Sequence, residues 1–440
     1  MERYPYLRKL FLLSGDIAII ILSVWLAVQL VNGHMSFSLN TEIYYRMLPI
    51  NVAVLCIAFG IYGLYTLPKK SYGEIFIGIA LSVLYAFIFV MAASFFLREF
   101  AYSRSILSLA TVFELLLLNG WQYLWWQLER RLDVPKDALL VGSNEECERV
   151  LKRLSVVPQM NYHVCHILPS EAERQEWENA LANADLAIIC QDVKLKTKAQ
   201  IVSHCQQMGK QVMLVPSVYE MYCSGLEISR IDDIPFFRPQ YLNPSLERRS
   251  IKRIMDVLLS CVILLAALLP MAVIALVIRL DSKGPVFYKQ ERVGRYGKTF
   301  EVYKFRSMRQ DAEALSGPVL AGEDDPRITR AGRVLRAMRL DELPQLINVL
   351  KGDMSIVGPR PERPFFVEQF KAEIPEYEYR HNVRPGITGM AQVNGKYNTT
   401  VYDKLVYDLM YVQKCDIFTD LVILVQTVRV LFIKSSTEGV

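Results

Sequence analysis

Two adjacent carboxylates, Asp341 and Glu342, lie in the stretch RITRAGRVLRAMRLDELPQLINVLKGDMSIVGPRP, from Arg327 to Pro361. Five arginines (Arg327, Arg330, Arg333, Arg336, Arg339) lead into the pair, and Gly358-Pro359-Arg360-Pro361 follows as a rigid bracket. One unbroken helix through Arg336 and Asp341 would rotate the two side chains roughly 140° apart, so they could not converge on one ligand. The arginine helix is therefore expected to end near Leu340. Asp341 then reads as the N-cap of a second helix, with Pro344 in its first turn, where the backbone N–H has no intrahelical partner. A carboxylate there stays ionised beside the positive helix end, and a phosphate is favoured next to it. These residue types support phosphoryl transfer through a carboxylate nucleophile. A carboxylate can approach an anionic diphosphate only when cations neutralise the oxygens, which is the task of an arginine fork and a divalent metal on acidic ligands. Without such neighbours an Asp-Glu pair would merely start a helix.

The chain that must position these groups has 440 residues, 52% of them hydrophobic, and a net charge of +5. That is enough for two or three domains, and the small charge argues against a dedicated nucleic-acid binder. Residues 1–130 hold four apolar segments, about 10–31, 47–67, 75–97 and 105–127. Each approaches the roughly 20 residues of a bilayer-spanning helix, so the region reads as a four-helix transmembrane bundle. Arg3, Arg8 and Lys9 precede the first, Lys69 and Lys70 lie in the second loop, and Arg130 and Arg131 follow the fourth. Both ends are thus expected in the cytoplasm, with Arg98 and Arg104 mildly against the rule. Asp16 inside the first segment marks either a polar pathway or a helix-helix pair. Trp121, Trp125 and Trp126 read as an interfacial belt.

Residues 135–240 alternate strand and helix patterns, ALLVGS, NEECERVLKRL, YHVCHIL, AERQEWENALA, DLAIIC, KAQIVSHCQQM and KQVMLVP, as in a parallel, Rossmann-like module on the cytoplasmic side. After Gly142 the later glycine positions of a dinucleotide fingerprint hold Asn144 and Cys147, which disfavours NAD. Residues 217–250, rich in proline, read as a linker. The eight cysteines include no C-x-x-C, as expected in a reduced compartment. His163, Cys165 and His166 read as ordinary strand side chains. A last apolar run, about 252–280, contains Pro270 and has basic residues at both ends, pointing to a helix-break-helix that enters the membrane and returns. Amphipathic helices over 403–434 would lie on the membrane face.

The runs KFRSM (304–308), DDPRITRAGRVLR (324–336), LDELPQLINVLKGDMSIVGPRPERP (340–364) and VRPGITGMAQVNG (383–395) closely resemble the bacterial polyprenyl-phosphate sugar-1-phosphate transferases, the monotopic phosphoglycosyl transferases. The resemblance covers roughly residues 250–435 and implies a catalytic domain over 250–440, α-rich and anchored by a re-entrant membrane helix broken at Pro270. The upstream bundle and α/β domain look like the long form of that family. The resemblance implies Asp341 as nucleophile and Glu342 as its dyad partner, the two holding Mg²⁺. It also implies Arg336 and Arg360 as phosphate contacts, and Lys304, Arg306 and Arg384 as nucleotide contacts. The implied reaction moves a sugar-1-phosphate from a UDP-sugar to polyprenyl (undecaprenyl) phosphate by ping-pong through an aspartyl intermediate. It releases UMP at the inner membrane and initiates an exopolysaccharide, capsule or O-antigen glycan. A homodimer is possible on surface area alone. Two other readings stand beside this one. A membrane-anchored nucleotide-sugar dehydratase or epimerase would need a glycine-rich turn and a Tyr-x-x-x-Lys pair in the α/β module, and neither is there. A non-catalytic regulator of polysaccharide export would leave the dyad without a task.

Overall fold

The computed structural model describes residues 5–32, 39–65, 71–97, 104–132, 134–156, 161–223, 227–231, 234–238, 242, 244–309, 327–395 and 399–432. Lys69, Lys70, Arg98 and Asp324-Asp325-Pro326 of the second motif run lie outside these residues. The chain divides into two compact units, Met1–Val215 and Pro216–Val440.

The first unit opens with four helices, α1 (Pro5–Asn32), α2 (Leu39–Ile61), α3 (Tyr72–Phe96) and α4 (Arg104–Leu132). By length and composition α1, α3 and α4 can cross a membrane; the apolar part of α2, Arg46–Ile61, is shorter than a crossing needs. Polar pairs join the helices. Asp16 accepts from Gln122 Nε2 at 2.9 Å, Asn51 donates to Glu114 at 2.6 Å, and Arg8 pairs with Glu129 at 2.6 Å. Asp16 thus serves helix-helix pairing, since a buried carboxylate in an apolar bundle needs a partner.

The same unit continues with β1 (Lys136–Val141), α5 (Asn144–Val156), β2 (Tyr162–Leu168), α6 (Arg174–Ala182), β3 (Leu186–Ile189), α7 (Leu195–Gln207) and β4 (Gln211–Leu214). The strands form one parallel sheet in the order β2-β1-β3-β4. The buried runs ALLV of β1 and LAII of β3 lie at its centre, as expected for strands covered on both faces. At the C-terminal end of β1, where a nucleotide phosphate would meet the start of α5, the Asp192 carboxylate accepts a hydrogen bond from Ser143 N at 2.6 Å.

The second unit contains α8 (Val218–Cys223), the hairpin β5 (Glu227–Ile231)–β6 (Ile234–Arg238), the long α9 (Leu246–Asp281) and the hairpin β7 (Phe287–Val293)–β8 (Thr299–Phe305). Then follow α10 (Arg330–Ala337), α11 (Gln345–Lys351), β9 (Ser355–Val357), α12 (Pro364–Glu373), β10 (Gly386–Thr388), α13 (Met390–Asn394), α14 (Val401–Lys414) and α15 (Ile417–Phe432). The stretch expected to be a linker belongs to this unit. Val218 and Leu242 are buried in its main core, with Val349, Ile356, Leu405 and Leu409. The backbone there is tied by Tyr402 Oη to Val218 N, Gln413 to Met221 O and Asn382 to Leu242 O. The described residues of 217–250 are thus packed on the unit and do not act as a free connector.

Helix α9 also differs from expectation. Its 36 residues form one helix with Pro270 inside it, not two helices separated by a break. A proline in a helix interior removes one hydrogen bond and kinks the rod without having to end it.

Candidate active site

The site is assembled from backbone contacts first. Thr329 caps α10 by accepting from Gly332 N at 3.0 Å. A Cβ on Gly332 would stand 1.9 Å from Ser307 O, so the arginine helix lies backbone against backbone on the end of KFRSM. Met308 bridges Ile328 beside this contact. The helix ends at Ala337, Arg339 turns the chain in a left-handed conformation (φ 53°), and Leu340–Glu342 forms a single 3₁₀ turn. The dyad therefore sits in the tight turn between two helices. Pro344, not Asp341, occupies the N-cap position of α11. The arginine helix stops where expected, but the left-handed residue places both acids before the next helix begins.

Asn348 fixes that turn to the β7–β8 hairpin. Fully buried on α11, it accepts from Tyr303 N at 3.0 Å and donates to Glu301 O at 2.7 Å, acting as a partner for the free edge of β8. The Gly358 bracket is held as tightly. A Cβ on Gly358 would lie 2.4 Å from Arg384 O, so only glycine lets the bracket cross the chain entering β10. Buried Arg380, paired with buried Asp408, donates to Arg360 O at 2.9 Å, while Arg292 donates to Pro361 O at 3.0 Å. These supports were not recognisable as such in the sequence, because each partner lies 20 or more residues away.

The result is an asymmetric pair of carboxylates. Glu342 accepts from Arg360 Nη2 at 2.6 Å and from Lys304 Nζ at 3.1 Å, and is 8% exposed. Burial alone would raise its pKa, but Arg360 and Lys304 hold the carboxyl well below the usual range. Asp341, 9% exposed, is raised by burial, opposed by Lys304 and reinforced by the Glu342 charge; Arg360 and Arg336 also act to lower it. No hydrogen bond from a described residue is made to its carboxylate, the unpaired state that a base or nucleophile would need. Arg339, the last arginine of the run, is close enough to feel Arg360 and both acids and adds a further cation. Glu342 and its two cations form a neutralised ion-pair cluster, beside which the Asp341 carboxylate is left unpaired among the described residues.

A divalent cation fits this pair as a partial ligand set. Among the described residues no cluster of three His, Cys, Asp or Glu side chains is assembled. Asp341, and Glu342 less readily because its oxygens face cations, could hold Mg²⁺, which takes its remaining ligands from water and substrate phosphate.

Of the other expected contacts, Lys304 reaches the dyad and Arg336 acts on it by charge alone. Arg306 is committed to the protein itself. It is 5% exposed and donates to Ser282 O at 2.7 Å, Lys283 O at 3.0 Å and Ser282 Oγ at 2.9 Å, clamping the end of α9. Arg384 belongs to a different cluster, with Arg249, Arg253 and Arg295. Proximity in the motif did not separate an arginine that binds carbonyls from one that pairs with the dyad.

The bacterial sugar transferase family matches residues 247–434, a range that contains all of these groups. The chain is 47% identical over 185 residues to an Aeromonas hydrophila UDP-N-acetylgalactosamine-undecaprenyl-phosphate N-acetylgalactosaminephosphotransferase, covering 41% of this chain and 43% of that protein. It is 37% identical over 246 residues to an Escherichia coli K12 UDP-glucose:undecaprenyl-phosphate glucose-1-phosphate transferase, covering 54% and 52%. A Rhizobium leguminosarum exopolysaccharide production protein, PSS, is 42% identical over 186 residues, covering 40% of this chain and 93% of that protein. The chain thus spans about half the length of the first two relatives and nearly all of the third. With the family range enclosing the dyad and a relative matched over almost its whole length, the chain belongs to the bacterial sugar transferase family.

Proposed function

We propose that this protein transfers a sugar-1-phosphate from a UDP-sugar to undecaprenyl phosphate at the bacterial inner membrane, initiating a surface polysaccharide. The observation that carries the reading is the asymmetry of the dyad. Glu342 is already neutralised by Arg360 and Lys304, whereas Asp341 is buried beside them with no hydrogen bond from a described residue. Asp341 Oδ attacks the phosphorus next to the sugar, the bond from that phosphorus to the bridging oxygen breaks, and UMP leaves with the electron pair. A phosphate oxygen of the lipid then attacks the same phosphorus, the aspartyl bond breaks, and the polyprenyl-diphosphate-sugar departs with Asp341 restored as carboxylate. Arg360 and Lys304 keep their charges beside this phosphorus throughout, and Arg336 adds a third. Mg²⁺ on the dyad would neutralise diphosphate oxygens as a Lewis acid.

The same reading includes a re-entrant α9, supported by where its two ends are fastened. Near the start, Lys252 pairs with Asp420 and Arg253 donates to Val349 O and Leu350 O. At the far end Asp281 accepts from Ala331 N, and Arg306 holds the carbonyls of Ser282 and Lys283. Between them Leu258, Val262, Leu265, Leu268, Leu269 and Val273 are exposed. A straight 36-residue helix is about 54 Å long and would part its ends across a hydrocarbon core of about 30 Å. Both ends instead hold one polar domain, which favours a helix that bends at Pro270 and returns to the cytoplasmic side where nucleotide sugars are found.

Incubating membranes that carry the protein with a panel of radiolabelled UDP-sugars tests the reaction. Label should enter a lipid-linked product only when undecaprenyl phosphate is present, and Asp341→Asn should abolish it. Lipid labelling at the wild-type rate by Asp341→Asn would sink the reading.

A further inference from the structure

Away from the dyad, the start of α9, the turn after β7 and the chain entering β10 enclose a cavity of about 30 Å³, lined by Arg249, Lys252, Arg295 and Arg384 against one carboxylate, Asp256. This exceeds the ~10–15 Å³ that a single water needs. Most of these groups are already committed. Lys252 pairs with Asp420, and Asp256 Oδ1 accepts from Ser355 Oγ at 3.0 Å and Ile356 N at 3.1 Å. Arg295 donates to Asn382 O at 3.3 Å and to Tyr296 Oη at 2.7 Å, and Arg249 also bonds that hydroxyl. Arg384 is different: half-buried, it makes no hydrogen bond or ion pair with any described residue. Burial and the nearby charges of Arg253, Arg295 and Arg249 disfavour its cationic form, opposed by the Asp256 carboxylate. A fold that gathers like charges around a cavity, and leaves one guanidinium fork without an acceptor among the described residues, is complementary to an anion with several oxygens.

We propose that Arg384, with Arg249 and Arg295, forms a second phosphate-binding site, separate from the Asp341–Glu342 dyad. Its ligand is a phosphate group, gripped by the Arg384 fork at the mouth of the cavity. Two sources carry that chemistry. The exposed apolar residues Leu246, Ile251 and Ile254 flank Arg249 on α9, which places a lipid headgroup within reach, whereas a soluble nucleotide could enter from solvent. The site communicates with the dyad through backbone, because Arg384 O rests on Gly358, two residues before Arg360. The proposal goes beyond the transfer reaction and does not depend on it.

Equilibrium dialysis of ³²P-labelled inorganic phosphate against the full-length protein in detergent tests it without any turnover. The Arg360→Gln background removes the arginine fork at the dyad. In that background phosphate binding should persist, and adding Arg384→Gln should weaken it about tenfold or more. Should Arg384→Gln fail to fold, Arg295→Gln, at a turn near the surface, should weaken binding in the same direction. Competition by short-chain phosphatidylglycerol assigns the phosphate to a lipid headgroup, and competition by uridine diphosphate assigns it to a nucleotide; either result supports the site. Equal binding by the single and double variants, no binding in the Arg360→Gln background, or binding that neither competitor displaces would overturn the proposal, the last as an adventitious ion only.

Discussion

Replacing Arg306 separates a residue that holds the fold from one that holds substrate. Its guanidinium donates to Ser282 O at 2.7 Å, Lys283 O at 3.0 Å and Ser282 Oγ at 2.9 Å, with a longer approach of 3.5 Å to Ile278 O, all at the end of α9. Arg306→Met keeps the length and the apolar stem but leaves these acceptors without donors in a buried setting. A hydrogen bond from a charged group contributes about 1.5–3 kcal/mol net, and such terms are not additive, so the expected loss is about 3–5 kcal/mol. For a unit of this size that corresponds to roughly 10 °C in Tm. Arg306→Lys should recover only part of it, since an ammonium cannot span the same fork. The assay is thermal unfolding of the detergent-solubilised protein, with KM for the nucleotide sugar measured well below Tm. The geometry predicts a large fall in Tm and a KM within about twofold of wild type for the folded fraction. An unchanged Tm with a tenfold higher KM would refute the clamp and return Arg306 to the substrate.

The remaining predictions concern titration, boundaries and topology. Because burial raises Asp341 and Lys304 is the strongest cation opposing that rise, kcat/KM should fall as pH drops through a value above the ordinary aspartate's 3.8. Lys304→Met should move this acid limb to higher pH, and an unmoved limb would mean that Asp341 is not the titrating nucleophile. Glu342, depressed by Arg360 and Lys304, contributes stability present above its unfolded value near 4.5 and lost as pH falls towards its folded value. A chain beginning at Pro216 should fold and transfer sugar phosphate in detergent. One beginning at Glu247 loses buried Val218 and Leu242, at about 1.5–3 kcal/mol each, and should melt well below it; equal melting curves would contradict the boundary. A cysteine placed at Lys283 should resist an impermeant thiol reagent on intact cells until the membrane is opened, whereas labelling from outside would mean that α9 spans.

Much of the architecture was legible because it is written in local periodicity. The apolar segments of the bundle, the alternation that makes the parallel sheet and the stop of the arginine helix all follow from residues within one or two turns of each other. What was not legible depends on distant partners. Arg306 and Arg360 look alike in their motifs, yet one meets carbonyls at 282 and 283 and the other meets Glu342. Asp341 looks like an N-cap because caps are defined by the residues after them, while the left-handed turn at Arg339 precedes it. Residues 217–250 look like a linker because prolines mask a segment whose Val218 and Leu242 are buried by residues from α14 and β9. Pro270 reads as a stop, but a proline interrupts one hydrogen bond, and α9 continues on the others.

The central claim is that Asp341 becomes covalently phosphorylated with the sugar phosphate, and intact-protein mass spectrometry after mixing with donor alone tests it most directly. The account predicts a mass increase equal to one sugar phosphate, released nucleoside monophosphate equal to the labelled enzyme, no adduct in Asp341→Asn, and loss of the adduct when undecaprenyl phosphate is added. An enzyme that transfers to lipid at full rate, yet gains no mass and releases no nucleoside monophosphate until the acceptor arrives, would contradict it.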